Sequence, residues 1–149
     1  MTPNQLLRQA ERYVGLPYQP ARFTCAHLAV QVQKELFNRE VGADLPRRHP
    51  VSPNAQHQLI ETARAELAEL VAEPETGDAV LFKHAVHVQG TGLVDLWHVG
   101  TLFLDGLGQA WVLHTHAGAG SVVLELLASC KARGLRLDGF YRWKVAVPQ

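Results

Sequence analysis

Residues 96–116 read LWHVGTLFLDGLGQAWVLHTH. Two apolar runs, 96–104 and 110–116, flank the stretch DGLGQ, whose two glycines suit a tight reversal. The pattern predicts a β-hairpin. Side chains alternate along a strand, so His114 and His116 share a face in any register. A hairpin centred on Gly106 sets His98 across from His114, and one centred on Leu107 sets it across from His116. Either register puts a second histidine beside His98.

Strand signals continue on both sides: AVLFK (79–83) before the hairpin, SVVLEL (121–126) and LRLDGFYRWKV (135–145) after it. Gly-containing turns, QGTG (89–92) and AGAG (117–120), separate the runs. The first half of the chain reads as helices. Thr2 and Gln5 make a capping box with Pro3 in the first turn, and Leu6, Leu7, Ala10, Tyr13 and Val14 form one apolar stripe that Gly15 closes. A second helix opens at Cys25 behind the cap residue Thr24. Leu28, Ala29, Val32 and Leu36 share the face of Cys25, and the pattern fades near Asn38–Gly42. After the proline-rich connector DLPRRHPVSP (44–53), Ser52-Pro53 opens a third helix reaching to about Leu70. Its end, ELAELVAE (66–73), has a strand-like alternative, and PETGD (74–78) is a turn. Helices first and a strand meander after predict an α+β fold with an antiparallel sheet.

The 149 residues fit one domain, 1–149, and 47% apolar content is enough for one sizeable core. With 14 basic and 14 acidic side chains and no block of like charge, no nucleic-acid partner and no membrane partner are expected. The N-terminal stretch MTPNQLLRQAERYVG lacks the apolar core of a secretion signal, and no run reaches membrane-span length. The expectation is a monomer made in the cytoplasm, with action elsewhere depending on delivery. Two cysteines make no disulfide framework, although a Cys25–Cys130 bridge is allowed by count and would remove the thiol at Cys25.

The chemistry suggested is nucleophilic. A cysteine at a helix N-terminus meets unpaired N–H groups and the positive end of the helix dipole, which favour thiolate. Its own backbone N–H is an oxyanion-hole candidate. The predicted hairpin supplies a base and a residue to orient it. The alternate-residue pair His114 and His116 could ligate a metal with Cys25 or His98. No carboxylate or second cysteine sits at ligand spacing, so no metal and no cofactor is expected. Cys130 reads as a structural or surface thiol, His84 and His87 as exposed residues near turns, and His27 as flanking the cleft. His49 and His57 read as surface residues. Trp97, Trp111, Tyr141 and Trp143 read as sheet packing, with one or two of them able to line a substrate groove.

The ordered set GLPYQPARFTCAHLAVQVQKELF, then LP at 45–46, PETGDAVLF, WHVG, VLHT and GFYRW, which covers nearly the whole chain, resembles the NlpC-type cysteine peptidases. It is most similar to the versions carried by phage tails and prophages. The resemblance implies a papain-like α+β fold, with N-terminal helices packed on a C-terminal antiparallel sheet and the nucleophile at a helix N-terminus. It implies Cys25 as nucleophile, His98 as general base and His114 as the residue orienting His98, with room for His116. It implies hydrolysis of amide bonds in peptidoglycan stem peptides through an acyl-enzyme, with Tyr18, Thr24 and Ala26 as substrate contacts. The stem peptide is the expected partner, joined by phage tail proteins in a tail setting. The family usually carries Asp-Cys-Ser-Gly around its nucleophile, where this chain has Thr24-Cys25-Ala26-His27. Thr and Ala cannot supply the negative charge that holds a free amine. Two other outcomes share the fold: a non-catalytic tail or peptidoglycan-binding component, and an amidase or acyltransferase acting on another substrate.

Overall fold

Six antiparallel strands form one sheet in the order β1-β6-β2-β3-β4-β5. They are β1 (Ala68–Val71), β2 (Ala79–Val88), β3 (Gly92–Leu104), β4 (Ala110–His114), β5 (Val123–Leu126) and β6 (Arg136–Trp143). The helices among the described residues are α1 (Pro3–Glu11), α2 (Cys25–Phe37), α3 (Pro53–Leu67) and the short α4 (Leu127–Ala132). The computed structural model describes residues 1–20, 22–42 and 53–145. The connector with Leu45-Pro46, His49 and the cap Ser52 lies outside the described residues, as does the side chain of His57. The architecture is α+β, as the pattern of helices followed by strands predicts. No helix among the described residues is long and apolar enough to cross a membrane.

Local chemistry explains the helix boundaries. The Thr2 hydroxyl accepts from the Gln5 N–H at 3.2 Å, and the Gln5 side-chain oxygen accepts from the Thr2 N–H at 2.8 Å. α1 stops at Glu11, short of Gly15. A turn comes next, which buries Tyr13 and leaves Val14 48% exposed, so Val14 is not part of the stripe. Gly15 sits at φ +92°, and its N–H bonds the Val122 carbonyl at 3.0 Å, tying this loop to the sheet. α2 ends where Asn38 turns left-handed. α3 ends at Leu67 rather than near Leu70. Ala68 enters β1 with no loop between, so the strand-like reading of ELAELV prevails where it can pair with β6.

Alternation along β2 and β3 sorts the core. Ala79, Leu81, Trp97 and Val99 pack with Cys25, Ala26 and Ala29 of α2 and with Ile60 of α3. Phe103 and Leu113 join Leu28 and Val32 of α2 and Ala10 of α1. Val80, Phe82, Leu102 and Val112 pack with Cys130 of α4 and with Leu135. Leu28 and Val32 are almost wholly buried, and each fixes α2 to the sheet by about 1.5–3 kcal/mol of transfer free energy.

The β2–β3 hairpin is longer than its sequence signal. Residues 79–88 pair with 92–101, turning through Gly90 and Gly92, both at positive φ. His84 is therefore a mid-strand residue paired with Leu96 and half-buried, which corrects its placement as an exposed residue near a turn. His87 is exposed, as expected. At the start of β2, buried Asp78 holds Arg142 of β6 by two bonds, Nε to Oδ1 at 3.1 Å and Nη2 to Oδ2 at 3.0 Å. Asp78 also accepts the Glu75 N–H at 2.7 Å. The segments TGDAV and FYRW, far apart in sequence, thus meet at one bidentate ion pair.

Candidate active site

Cys25 is the first residue of α2, and Thr24 before it is extended. His27 reaches back to this end: its Nδ1 lies 3.2 Å from the Thr24 N and 2.8 Å from the Thr24 hydroxyl. That holds the first turn in place. Cys25 is 8% exposed as a residue, and burial pushes the pKa of its thiol up. The backbone N–H groups of Val99, Ala26 and Cys25 itself pull the other way. The sulfur therefore lies against β3 at Val99, the neighbour of His98. β4 pairs with β3 only over Thr101–Leu104, so the edge of β3 near His98 and Val99 has no β4 partner, and the helix end can approach it.

The β3–β4 ladder pairs Thr101 with Leu113 and Leu104 with Ala110, so the hairpin centres on Leu107. That register directs His98 towards His116, yet the hydrogen bond forms on the diagonal. His98 Nε2 lies 2.8 Å from His114 Nδ1. His98 keeps His116 as an edge-on neighbour, ring centroids 5.2 Å apart, and His116 Nε2 has no hydrogen-bond partner among the described residues. Gly100 makes the diagonal possible. A Cβ there would sit 2.5 Å from Val112 Cγ1 and 3.2 Å from His114 Cβ.

Beyond His114 the chain of bonds continues. His114 Nε2 meets Glu125 Oε1 of β5 at 2.9 Å, and the Arg133 Nε–H donates to Glu125 Oε2 at 2.8 Å. Burial raises the Glu125 pKa, but the bonds from Arg133 and His114 outweigh it and hold the carboxyl below its usual range. Glu125 is thus an acceptor only. His114 must carry its proton on Nε2, which leaves Nδ1 as a lone pair. His98 must then donate from Nε2, which leaves its own Nδ1 as the basic nitrogen. Burial, helped by His114, His116 and His84, pushes the His98 pKa well down. Burial also lowers His114, against the pull of Glu125, and lowers His116 to about 4. The histidines are neutral near pH 7, and so is the thiol.

A cleft of ≈ 540 Å³ opens over these groups, a size that suits a small ligand. Tyr18, Cys25, His84, His98, His116 and Arg133 are among its walls. Cys25, His98 and Tyr18 thus share one cleft, and His114 stands behind His98, fully buried. Thr24 and Ala26 are also fully buried and are not among the cleft residues, and neither is His27. Both cysteines are free thiols, so no Cys25–Cys130 bridge forms. Cys130 is buried beside the histidines: its Sγ lies 3.8 Å from His114 Nε2 and 3.6 Å from Glu125 Oε1.

Compared with protein-family models, with curated proteins and with solved structures, the chain matches none.

Sequence reasoning did not single out Glu125, Arg133 or His84. The period-two run from Lys83 to Val88 carried a signal for His84, since it extends the strand AVLFK. Glu125 and Arg133 carried none, because one lies on β5 and the other just beyond α4.

Proposed function

We propose that the chain is an NlpC-type, papain-like cysteine peptidase that cleaves amide bonds of peptidoglycan stem peptides, in a phage-tail or prophage setting. One observation carries the reading. His98 is bonded to His114 through Nε2 and lines the same cleft as Cys25, the first residue of a helix. The ordered sequence motifs supply the substrate class.

Because burial keeps the thiol protonated and the imidazole neutral, the reaction starts from a neutral pair. His98 Nδ1 takes the Cys25 proton as the sulfur attacks the amide carbonyl carbon. The Cys25 backbone N–H faces the developing oxyanion. The imidazolium formed on His98 is stabilised through His114 and Glu125. It gives its proton to the leaving amine as the C–N bond breaks. A water, losing its proton to His98, then attacks the thioester, releases the carboxylic acid and restores the thiol.

The test is digestion of sacculi and of cross-linked muropeptides by reduced protein, with Cys25→Ala as control. New amino termini from wild type, and none from a folded Cys25→Ala, support the reading. Failure on both substrates sinks it. A second reading, a non-catalytic peptidoglycan-binding or tail-assembly module of the same fold, draws on the near-complete burial of Cys25. It predicts binding to sacculi without hydrolysis.

A further inference from the structure

Cys130 is unnecessary to the hydrogen-bond chain, yet its sulfur converges with His114 and Glu125. The three donor atoms, one nitrogen, one oxygen and one sulfur, lie within 4.8 Å of one another. We propose that His114, Glu125 and Cys130 form a site for a divalent transition metal of zinc's class, and that an ion there silences Cys25 by reversing the tautomers of His114 and His98.

The geometry is close to a tetrahedral site. Zinc bonds of about 2.0–2.1 Å to nitrogen, about 2.1 Å to oxygen and about 2.3 Å to sulfur separate such donors by about 3.4–3.6 Å. The separations here are 3.8 Å for nitrogen to sulfur, 3.6 Å for oxygen to sulfur and 2.9 Å for nitrogen to oxygen. The sulfur already stands near its place, and only the His114–Glu125 pair must open, by about 0.5 Å. A carboxylate and a thiolate together cancel the charge of a divalent ion, which suits a buried site. The second oxygen of Glu125 stays bonded to Arg133, so the carboxylate remains oriented. The fourth position is left for water.

The protons balance. The ion displaces the Cys130 thiol proton, which leaves to solvent, and takes the lone pair of His114 Nε2. His114 stays neutral by carrying its proton on Nδ1. It now donates to His98 Nε2, so His98 carries its own proton on Nδ1. That is the nitrogen from which the proposed base acts, and it no longer has a lone pair. The metal site stands on geometry alone, whereas its silencing of Cys25 rests on the proposed catalytic reading.

The test begins with Cys25→Ala, in which Cys130 is the only thiol. Titration with Co²⁺ should give a thiolate-to-cobalt charge-transfer band at one equivalent, removed by Zn²⁺ and missing from Cys25→Ala/Cys130→Ala. Cys130→Ser provides a second variant if the alanine form folds poorly. Absence of the band in Cys25→Ala overturns the site. Next, Zn²⁺ should slow the reaction of Cys25 with iodoacetamide by a factor on the order of 10², while leaving Cys130→Ala little affected. Equal slowing in both, or none in wild type, overturns the tautomer switch. If wild type hydrolyses no peptidoglycan in metal-free buffer, the catalytic reading fails, and the cobalt band still decides the site.

Discussion

Glu125→Gln changes one oxygen to nitrogen in a side chain that does not line the cleft, yet its effect should reach His98 through two hydrogen bonds. The Arg133 guanidinium can only donate, so it claims the amide oxygen, which takes the place of Oε2. The amide nitrogen must then face His114 Nε2, which sits 2.9 Å from Oε1 in the parent. An amide N–H there needs a lone pair on Nε2. His114 therefore moves its proton to Nδ1 and donates to His98 Nε2, and His98 Nδ1 becomes an N–H. A base locked in the wrong tautomer costs up to about 10⁴ in kcat in a serine triad. One histidine further out, a loss of about 10²–10⁴ is expected, or about 3–5 kcal/mol on the barrier. The assay is release of amino termini from cross-linked muropeptide, with KM measured separately and expected to change little. The decisive arm is Glu125→Gln/Arg133→Met. Without the guanidinium the amide can turn its oxygen to His114 and restore the parent tautomer. The double variant should have a kcat at least about tenfold above that of Glu125→Gln, with Arg133→Met alone as the control for loss of the guanidinium. A Glu125→Gln protein of unchanged kcat, or a double variant no better than the single one, would refute the tautomer assignment.

Packing, ion pairing and protonation give three more expected outcomes. Gly100→Ala puts a Cβ 2.5 Å from Val112, a fully buried, β-branched residue that cannot turn away; a loss of about 1–3 kcal/mol in urea unfolding is expected, and unchanged stability would contradict the packing. Asp78→Asn should cost about 1–2 kcal/mol by the same measurement, because a neutral amide in this buried place keeps at most one of the two charge-assisted bonds from Arg142, which is itself 38% exposed and keeps Glu75; an effect below about 0.5 kcal/mol would show the pair to be dispensable. The depressed histidines also set a pH dependence. Their folded pKa values lie below the unfolded value of 6.5, so the unfolded chain binds protons first and stability falls as pH drops below that point. His116, lowered to about 4, can contribute a fall of up to about 1.4 kcal/mol per pH unit between pH 6.5 and 4, less what its partial exposure to water screens. Urea unfolding at pH 7 and pH 5 reads this directly, and equal stability at the two would contradict it.

The helices and the hairpin were legible because their signals are local. Thr24 before Cys25 marked a helix start, and DGLGQ between two apolar runs marked a reversal. The partner of His98 was not decidable from spacing. A Leu107-centred register points His98 at His116, and only the space left by Gly100 shows why the bond goes diagonally to His114. His84 was misplaced because the glycines of QGTG draw attention to a turn, whereas Lys83–Val88 pairs as strand right up to it. Glu125 and Cys130 were out of reach for a different reason. They meet His114 from β5 and α4, and no sequence spacing encodes a contact among three separate elements. The reading of His114 and His116 as a metal pair passed over Glu125 and Cys130 on the same ground: it weighed carboxylates and cysteines near the histidines in sequence only.

The proposed chemistry stands or falls on His98 serving Cys25 as its base. The rate at which iodoacetamide modifies Cys25 near neutral pH reads this without any substrate, in a Cys130→Ser background, with and without His98→Gln. The thiol is neutral at rest, so its reaction needs a proton acceptor. Modification should be slowed by a factor on the order of 10² in a folded His98→Gln protein. Modification at the same rate with and without the imidazole would contradict the role of His98.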